Sequence, residues 1–224
     1  MTQHAEPDRG HVEPGGPTLV RTAASDSGEV TVRKLSVGPM DNNCYVLVDR
    51  ATNRALLIDA ADDARRILDE VDDVGVDAIV TTHGHADHWQ ALDAVADETG
   101  AAVHLHPADA ERVPRSPDVE IRDGMTVPFG DASVTLLHTP GHTPGSVCVL
   151  LDGLQPWLFT GDTLFPGGPG GTFGDADAFS QIMQTLREEV FALPDATRVC
   201  PGHGDDTSLG VERPHLDEWQ ARGW

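Results

Sequence analysis

Four side chains of the kind that bind cations, His83, His85, Asp87 and His88, fall within six consecutive positions of the stretch TTHGHADHWQAL, Thr81 to Leu92. The stretch continues the run VDAIVTT, which reads as a strand, so the cluster sits on a loop at a strand end. Imidazole nitrogens and carboxylate oxygens bind borderline divalent cations when several of them converge within about 2.0–2.2 Å of the ion. Gly84 lets this loop turn, so convergence of His83 and His85 does not depend on strand geometry. Asp87 and His88 are adjacent and can address a second ion beside the first. The chain must fold so that further ligands reach the same loop.

Three later stretches offer them. TPGHTPGS carries His142, FTGDTLF carries Asp162, and CPGHGD carries His203. In each, the candidate follows a glycine at an expected strand end, where the backbone turns tightly and leaves the side chain facing a cleft. Taken singly, each is an ordinary turn residue; it is their joint order after HxHxDH that carries weight.

The pattern along the chain places these loops. VTVRKLSV, CYVLVD and ALLIDA read as strands of an opening antiparallel sheet, separated by Asn42, Asn43 and Asn53. DDARRILDEVDDV, Asp62 to Val74, has helical spacing of Ile67, Leu68, Val71 and Val74 and ends before Gly75. A second helix is expected from about Trp89 to Thr99, with AAVHLH returning as a strand. ASVTLLHT, SVCVLLD and QPWLFTGD read as three more strands, then a helix from about Phe179 to Leu193 and a short strand at TRVC. Such an order predicts two sheets packed together and covered by helices. Residues 1–28, rich in Pro, Gly, Asp and Glu without a period, read as a flexible arm ahead of one domain at 29–224.

The ordered set HxHxDH, His, Asp and His resembles the metallo-β-lactamase superfamily over about residues 30 to 210. NNCYVLVD, LLIDA, TTHGHADH, HTPGHTPGS, GDTLF and PGHG look most like its glyoxalase II-type thioester hydrolases. The resemblance implies an α/β fold, a four-layer αββα sandwich with metals at one edge of the two sheets. It assigns His83, His85 and His142 to one metal, Asp87, His88 and His203 to the other, and Asp162 to the bridge between them. Asp59, closing LLIDA, matches the family's first acidic motif and supports the ligands from behind. Asp87, Asp162 and Asp59 are thus the carboxylates expected to serve catalysis. Two divalent ions are implied, zinc by first choice from the donor types, with iron or manganese accepting the same set. The implied reaction is hydrolysis of small acyl thioesters, like that of a hydroxyacylglutathione hydrolase, by a hydroxide held between the metals.

The resemblance also carries alternatives. A persulfide dioxygenase would use a single iron on His83, His142 and Asp162. A lactonase or other ester hydrolase of the same fold shares the ligands, although Tyr45 is the only tyrosine available to it. Trp89 reads either as a wall of the pocket or as a staple at the following helix. His104, His106, His138 and His215 read as structural or exposed.

Charge narrows the partners. Against 37 acidic residues stand 15 basic ones, Lys34 being the only lysine, for a formal charge of -22. Such a surface repels phosphate backbones and anionic membranes, and no basic stripe offsets it, so a small-molecule substrate is expected rather than nucleic acid or lipid. Three scattered cysteines and the lack of an apolar leader or spanning run predict a soluble, cytoplasmic protein.

Overall fold

Alternation along the strands decides the architecture. In β3 (Asn42–Asp49), Tyr45 and Leu47 pack into one apolar cluster while Cys44, Val46 and Val48 enter another, so both faces of the strand are covered. The computed structural model describes residues 9–223. Among these, β1 (Leu19–Ser25), β2 (Gly28–Val37), β3, β4 (Arg54–Ile58), β5 (Gly75–Val80), β6 (Ala102–Leu105) and β7 (Val119–Glu120) form the first sheet in that order. The second sheet runs β15-β14-β11-β10-β9-β8, from β8 (Met125–Phe129), β9 (Ala132–His138), β10 (Val147–Leu151), β11 (Trp157–Gly161), β14 (Arg198–Pro201) and β15 (Thr207–Ser208). A small ribbon, β12 (Leu164–Phe165) with β13 (Gly168–Pro169), follows β11.

Three apolar clusters give four layers. The first lies between the sheets and includes Tyr45, Leu47, Ile58, Val149 and Phe159. The second fills the outer face of the first sheet under α1 (Ala64–Glu70) and α2 (Leu92–Thr99), with Ile67 and Val95. The third joins the outer face of the second sheet to α3 (Ala176–Glu188), α4 (Leu209–Glu212) and α5 (Leu216–Arg222), through Leu158, Ile182, Leu186 and Trp219. This is the expected αββα sandwich. No helix among the described residues is long and apolar enough to cross a membrane.

Several elements differ from expectation: α2 starts at Leu92 rather than near Trp89, and α3 covers Ala176–Glu188 rather than 179–193, with a separate 3₁₀ turn at Val190–Ala192. Helix α1 is shorter than 62–74, starting after the Asp63 cap, whose side chain accepts from Arg66 N, and closing at Val71. The reading of residues 1–28 as an arm is corrected for residues 9–28: β1 pairs with β2 in continuous register from Leu19↔Lys34 to Ser25↔Gly28. The segment lacks an apolar period because an edge strand needs few inward apolar side chains; here Ala23 points inward, and the backbone ladder does the rest. Residues 1–8 of the expected arm lie outside the described residues.

Buried charge ties this edge to the second sheet. Lys34 Nζ donates to Asp206 Oδ1 at 2.8 Å and to the Gly204 carbonyl at 2.6 Å, and Arg21 reaches the other oxygen of Asp206 at 2.9 Å. Lys34 and Asp206 are both almost wholly buried. Removing one partner of a buried pair leaves a charge that water cannot reach. We therefore expect Lys34→Met to lower unfolding free energy by about 3 kcal/mol in urea denaturation. An unchanged midpoint would remove the pair from the stabilising set.

Candidate metal centre

Every ligand-type residue of the sequence pattern lies on a loop at one edge of the sandwich. Strands β4 and β5 run parallel with Ile58 beside Val80, so Asp59 and the loop from Thr81 emerge side by side. Strands β11 and β14 also run parallel, with Gly161 beside Pro201, so Asp162 and His203 emerge together from the second sheet. The β9–β10 connection brings His142. Asp87 and His88 sit in a single 3₁₀ turn, Ala86–His88. A side chain at Gly202 would collide with Asp162 and His88, which explains glycine before His203.

The structure brings His83, His85, Asp87, His88, His142, Asp162 and His203 together. Their ligand atoms form three overlapping groups, His83–His85–His142, His83–His88–Asp162 and Asp87–His88–His203, each within 4.8 Å. Asp162 lies between the outer two, with Oδ1 3.4 Å from His88 Nε2 and Oδ2 3.5 and 3.6 Å from the Nε2 atoms of His142 and His203.

Hydrogen bonds behind the imidazoles determine which nitrogen faces inward. His142 Nδ1 donates to the Gly171 carbonyl at 2.8 Å, and His203 Nδ1 to the Met40 carbonyl at 2.8 Å. His88 Nδ1 donates to Asp59 Oδ2 at 2.9 Å. Thr82 gives its hydroxyl hydrogen to the same carboxylate at 2.8 Å, so its oxygen accepts from His83 Nδ1 at 3.1 Å. These four rings therefore aim Nε2 at the centre, while His85 turns Nδ1 toward it.

This arrangement fits a cation better than it fits itself. His85 Nδ1 lies 3.1 Å from His83 Nε2 and 2.9 Å from His142 Nε2, and one N–H cannot satisfy two lone pairs at once. Asp162 Oδ1 is buried without a hydrogen-bond partner among the described residues, which leaves an acceptor free for a cation. Charge follows the same division. Burial, then the charge of His88, holds His83 well below the usual imidazole range, and burial lowers His85 and His142 as well. Burial opposes protonation of His88 too, yet Asp59 and Asp162 push it up to about 10. Against burial, Asp162 and Asp87 likewise raise His203 to about 10. The hydrogen bond from His203 holds Asp87 far below the carboxylate range, and Asp162 is held there despite its burial. Positive charge is wanted here, and a bound cation would release those protons.

Asn42 and Asp109 are not marked as site residues by the sequence reading. Asn42 Nδ2 donates to the Asp87 carbonyl at 2.9 Å and to Asp87 Oδ2 at 3.0 Å. Asp109 is wholly buried and accepts from Gly84 N at 2.8 Å, Thr143 Oγ1 at 2.6 Å and Gly145 N at 3.0 Å. It thereby fastens the His83–His85 loop to the His142 loop. Nothing local marks Asp109 among the chain's many acids. Trp89 packs on the outer core and donates its indole N–H to the Gly84 carbonyl at 3.0 Å, holding the loop from behind. His104, His106, His138 and His215 stand outside the cluster; His106 and His138 stack on each other at 4.0 Å.

Comparison with known proteins adds the following. The family model of the metallo-beta-lactamase superfamily matches residues 37–203. A hydroxyacylglutathione hydrolase of Fuscovulum blasticum is 36% identical over 165 residues, covering 73% of this chain and 62% of that protein. The crystal structure of the BLEG-1 B3 metallo-beta-lactamase superposes with a TM-score of 0.76 at 27% identity, covering 83% of this chain and 97% of that one. TTHA1623, solved in a di-iron-bound form, superposes with a TM-score of 0.68 at 30% identity, over 80% of this chain and 96% of that one.

Because Asp59 holds His88 directly and His83 through Thr82, Asp59→Ala should weaken zinc binding by about 10–100-fold. Competition with a chromogenic chelator measures this without any substrate. Unchanged affinity would mean that the imidazoles hold their orientation without Asp59.

Proposed function

Because the chain belongs to the metallo-beta-lactamase superfamily, we propose that it is a hydrolase of small acyl thioesters working with two divalent ions, zinc by first choice. The observation that carries this reading is Asp162, placed between two ligand groups with one buried oxygen unpartnered. His83, His85 and His142 would hold one ion, Asp87, His88 and His203 the other, with Asp162 shared. When bound, the ions would activate a water near neutral pH and polarise the thioester carbonyl.

The chain's own residues supply the rest. Asp59, through His88 and Thr82, fixes the direction of two imidazole lone pairs, and the Gly171 and Met40 carbonyls fix two more. Asp109 keeps the two loops of the three-histidine group at a constant spacing. None of the three cysteines competes as a nucleophile: all are buried, and burial pushes the Cys148 thiol up to about 11 and raises those of Cys44 and Cys200 as well. A thioester suits such a site because its thiolate leaves readily. The likeness to a hydroxyacylglutathione hydrolase supports the substrate class. The charge of -22 supports a small substrate over a polyanion.

Elemental analysis of protein loaded with zinc and freed of excess should give about two ions per chain, since the donors exceed what one four-coordinate ion can use. A ratio that stays near one would favour the mononuclear iron arrangement. In a substrate panel, thioester cleavage should exceed phosphodiester cleavage at both low and high salt. Phosphodiester cleavage that overtakes once salt screens the surface would show a pocket built for phosphate. Asp162→Ala should cost more activity than Asp59→Ala, because the first is shared by both ligand groups and the second acts through orientation.

A further inference from the structure

A cleft of about 580 Å³ opens beside His85 and His142 and is walled by Pro140, Phe173, Asp177 and Arg112. Arg112 is the only lysine or arginine lining it. In a chain with 37 acids and 15 bases, several arginines are closely paired. Arg33 grips both oxygens of Asp73 at 2.8 and 3.0 Å, and Arg115 holds Asp97 at 2.8 Å. Arg112 is held more loosely than these. Its one ion-pair partner among the described residues is Asp109, at 3.7 Å from Nε, and its side chain is 48% exposed. Asp109 is already committed to Gly84, Thr143 and Gly145, so it does not saturate the guanidinium. The stem of Arg112 packs so closely on Gly84 that any side chain at position 84 would strike its Cβ and Cδ. The guanidinium is therefore held next to the loop that carries His83 and His85.

The other walls divide the cleft. Asp175 is occupied as the cap of α3, accepting from Asp177 N and Ala178 N. Phe173 is 81% exposed, has a φ of 54°, and holds its ring 5.8 Å from that of His85 and 6.0 Å from that of His142. A left-handed backbone is strained for an aromatic residue, and an exposed ring gains little from burial in return. Phe173 thus gives the cleft an apolar wall above the ligands, and Arg112 gives it one cationic pole.

Resting on the thioester reading, we propose that Arg112 is the specificity-determining residue of this cleft and that it binds a carboxylate on the thiol half of the substrate. The planar guanidinium offers parallel N–H donors to the two oxygens of one carboxylate. The surrounding negative field disfavours ligands of higher charge, phosphate-rich carriers included.

Two thioesters sharing one acyl group test this: that of N-acetylcysteine, which carries a carboxylate, and that of N-acetylcysteamine, which lacks it. The zinc-loaded enzyme should prefer the first. In Arg112→Met the ratio of the two kcat/KM values should fall by about 10–100-fold, chiefly through KM of the carboxylate substrate, and Arg112→Lys should recover part of it. An unchanged ratio would overturn the assignment, because a merely structural role of Arg112 moves both substrates together. Calorimetry with the S-alkyl thioethers of the same two carriers, which cannot be hydrolysed, separates the two readings. If neither thioester is cleaved but the carboxylate thioether binds and loses affinity in Arg112→Met, the carboxylate site stands and the thioester reading falls. If Arg112→Met binds that thioether as the parent does, the assignment falls whatever is hydrolysed.

Discussion

One carboxylate, that of Asp59, fixes two of the metal-type imidazoles at once. It accepts from Thr82 N at 2.7 Å, from Thr82 Oγ1 and from His88 Nδ1, and it is 1% exposed. A buried carboxylate without such donors would be costly to desolvate, so the hydrogen bonds and the charge require each other. The backbone at Asp59 is left-handed, with a φ of 56°, a conformation that aspartate tolerates better than most residues. Straightening that residue would move the carboxylate off Thr82 and release two imidazoles at once.

Asp59 can do this only because of strand direction. Strand β5 is parallel to β4, and the helix between them covers the outer face, so both strands end at the same edge. The second sheet repeats the device with β11 and β14, which carry Asp162 and His203 there with α3 between them. The inter-sheet core, from Tyr45 to Phe159, then sets the spacing between the two ligand-bearing edges. Tyr45 also donates its hydroxyl to the Pro201 carbonyl at 2.7 Å, locking the turn before His203 to the first sheet. The packing of the core is in this sense also the geometry of the site.

Much of this was legible in the sequence, and the limits have physical causes. Strands with both faces buried are dense in apolar residues, so β3, β4, β10 and β11 were readable with boundaries within two residues. The ligand-type residues were readable because histidines, aspartates and glycines at turns are rare in such order. Strand β1 was not, since its stabilisation lies in backbone pairing and in Arg21 reaching Asp206, neither of which leaves an apolar period. Nor were Asp109 and Arg112, which matter through partners distant in sequence. An acid that accepts from positions 84, 143 and 145 looks, in the sequence, like any of 36 others.

The charge imbalance gives the site two ranges of electrostatics. Basic residues are scarce, and the fold spends several of them behind the site: Lys34, Arg21 and Arg198 converge on Asp206, while Lys34 also holds the carbonyl of Gly204 next to His203. What remains outside is an acidic surface that repels anions over a distance of about 8 Å at physiological salt, beyond which ions screen it. Inside that distance a single guanidinium at the cleft wall outweighs the diffuse field for a ligand bearing one carboxylate, because the contact is close and directional. For a polyanion the repulsion grows with every added charge while the cleft still offers one cation. A surface of this sign disfavours polyanions more than a small monoanion, and in the proposed assignment Arg112 is the residue on which that difference rests.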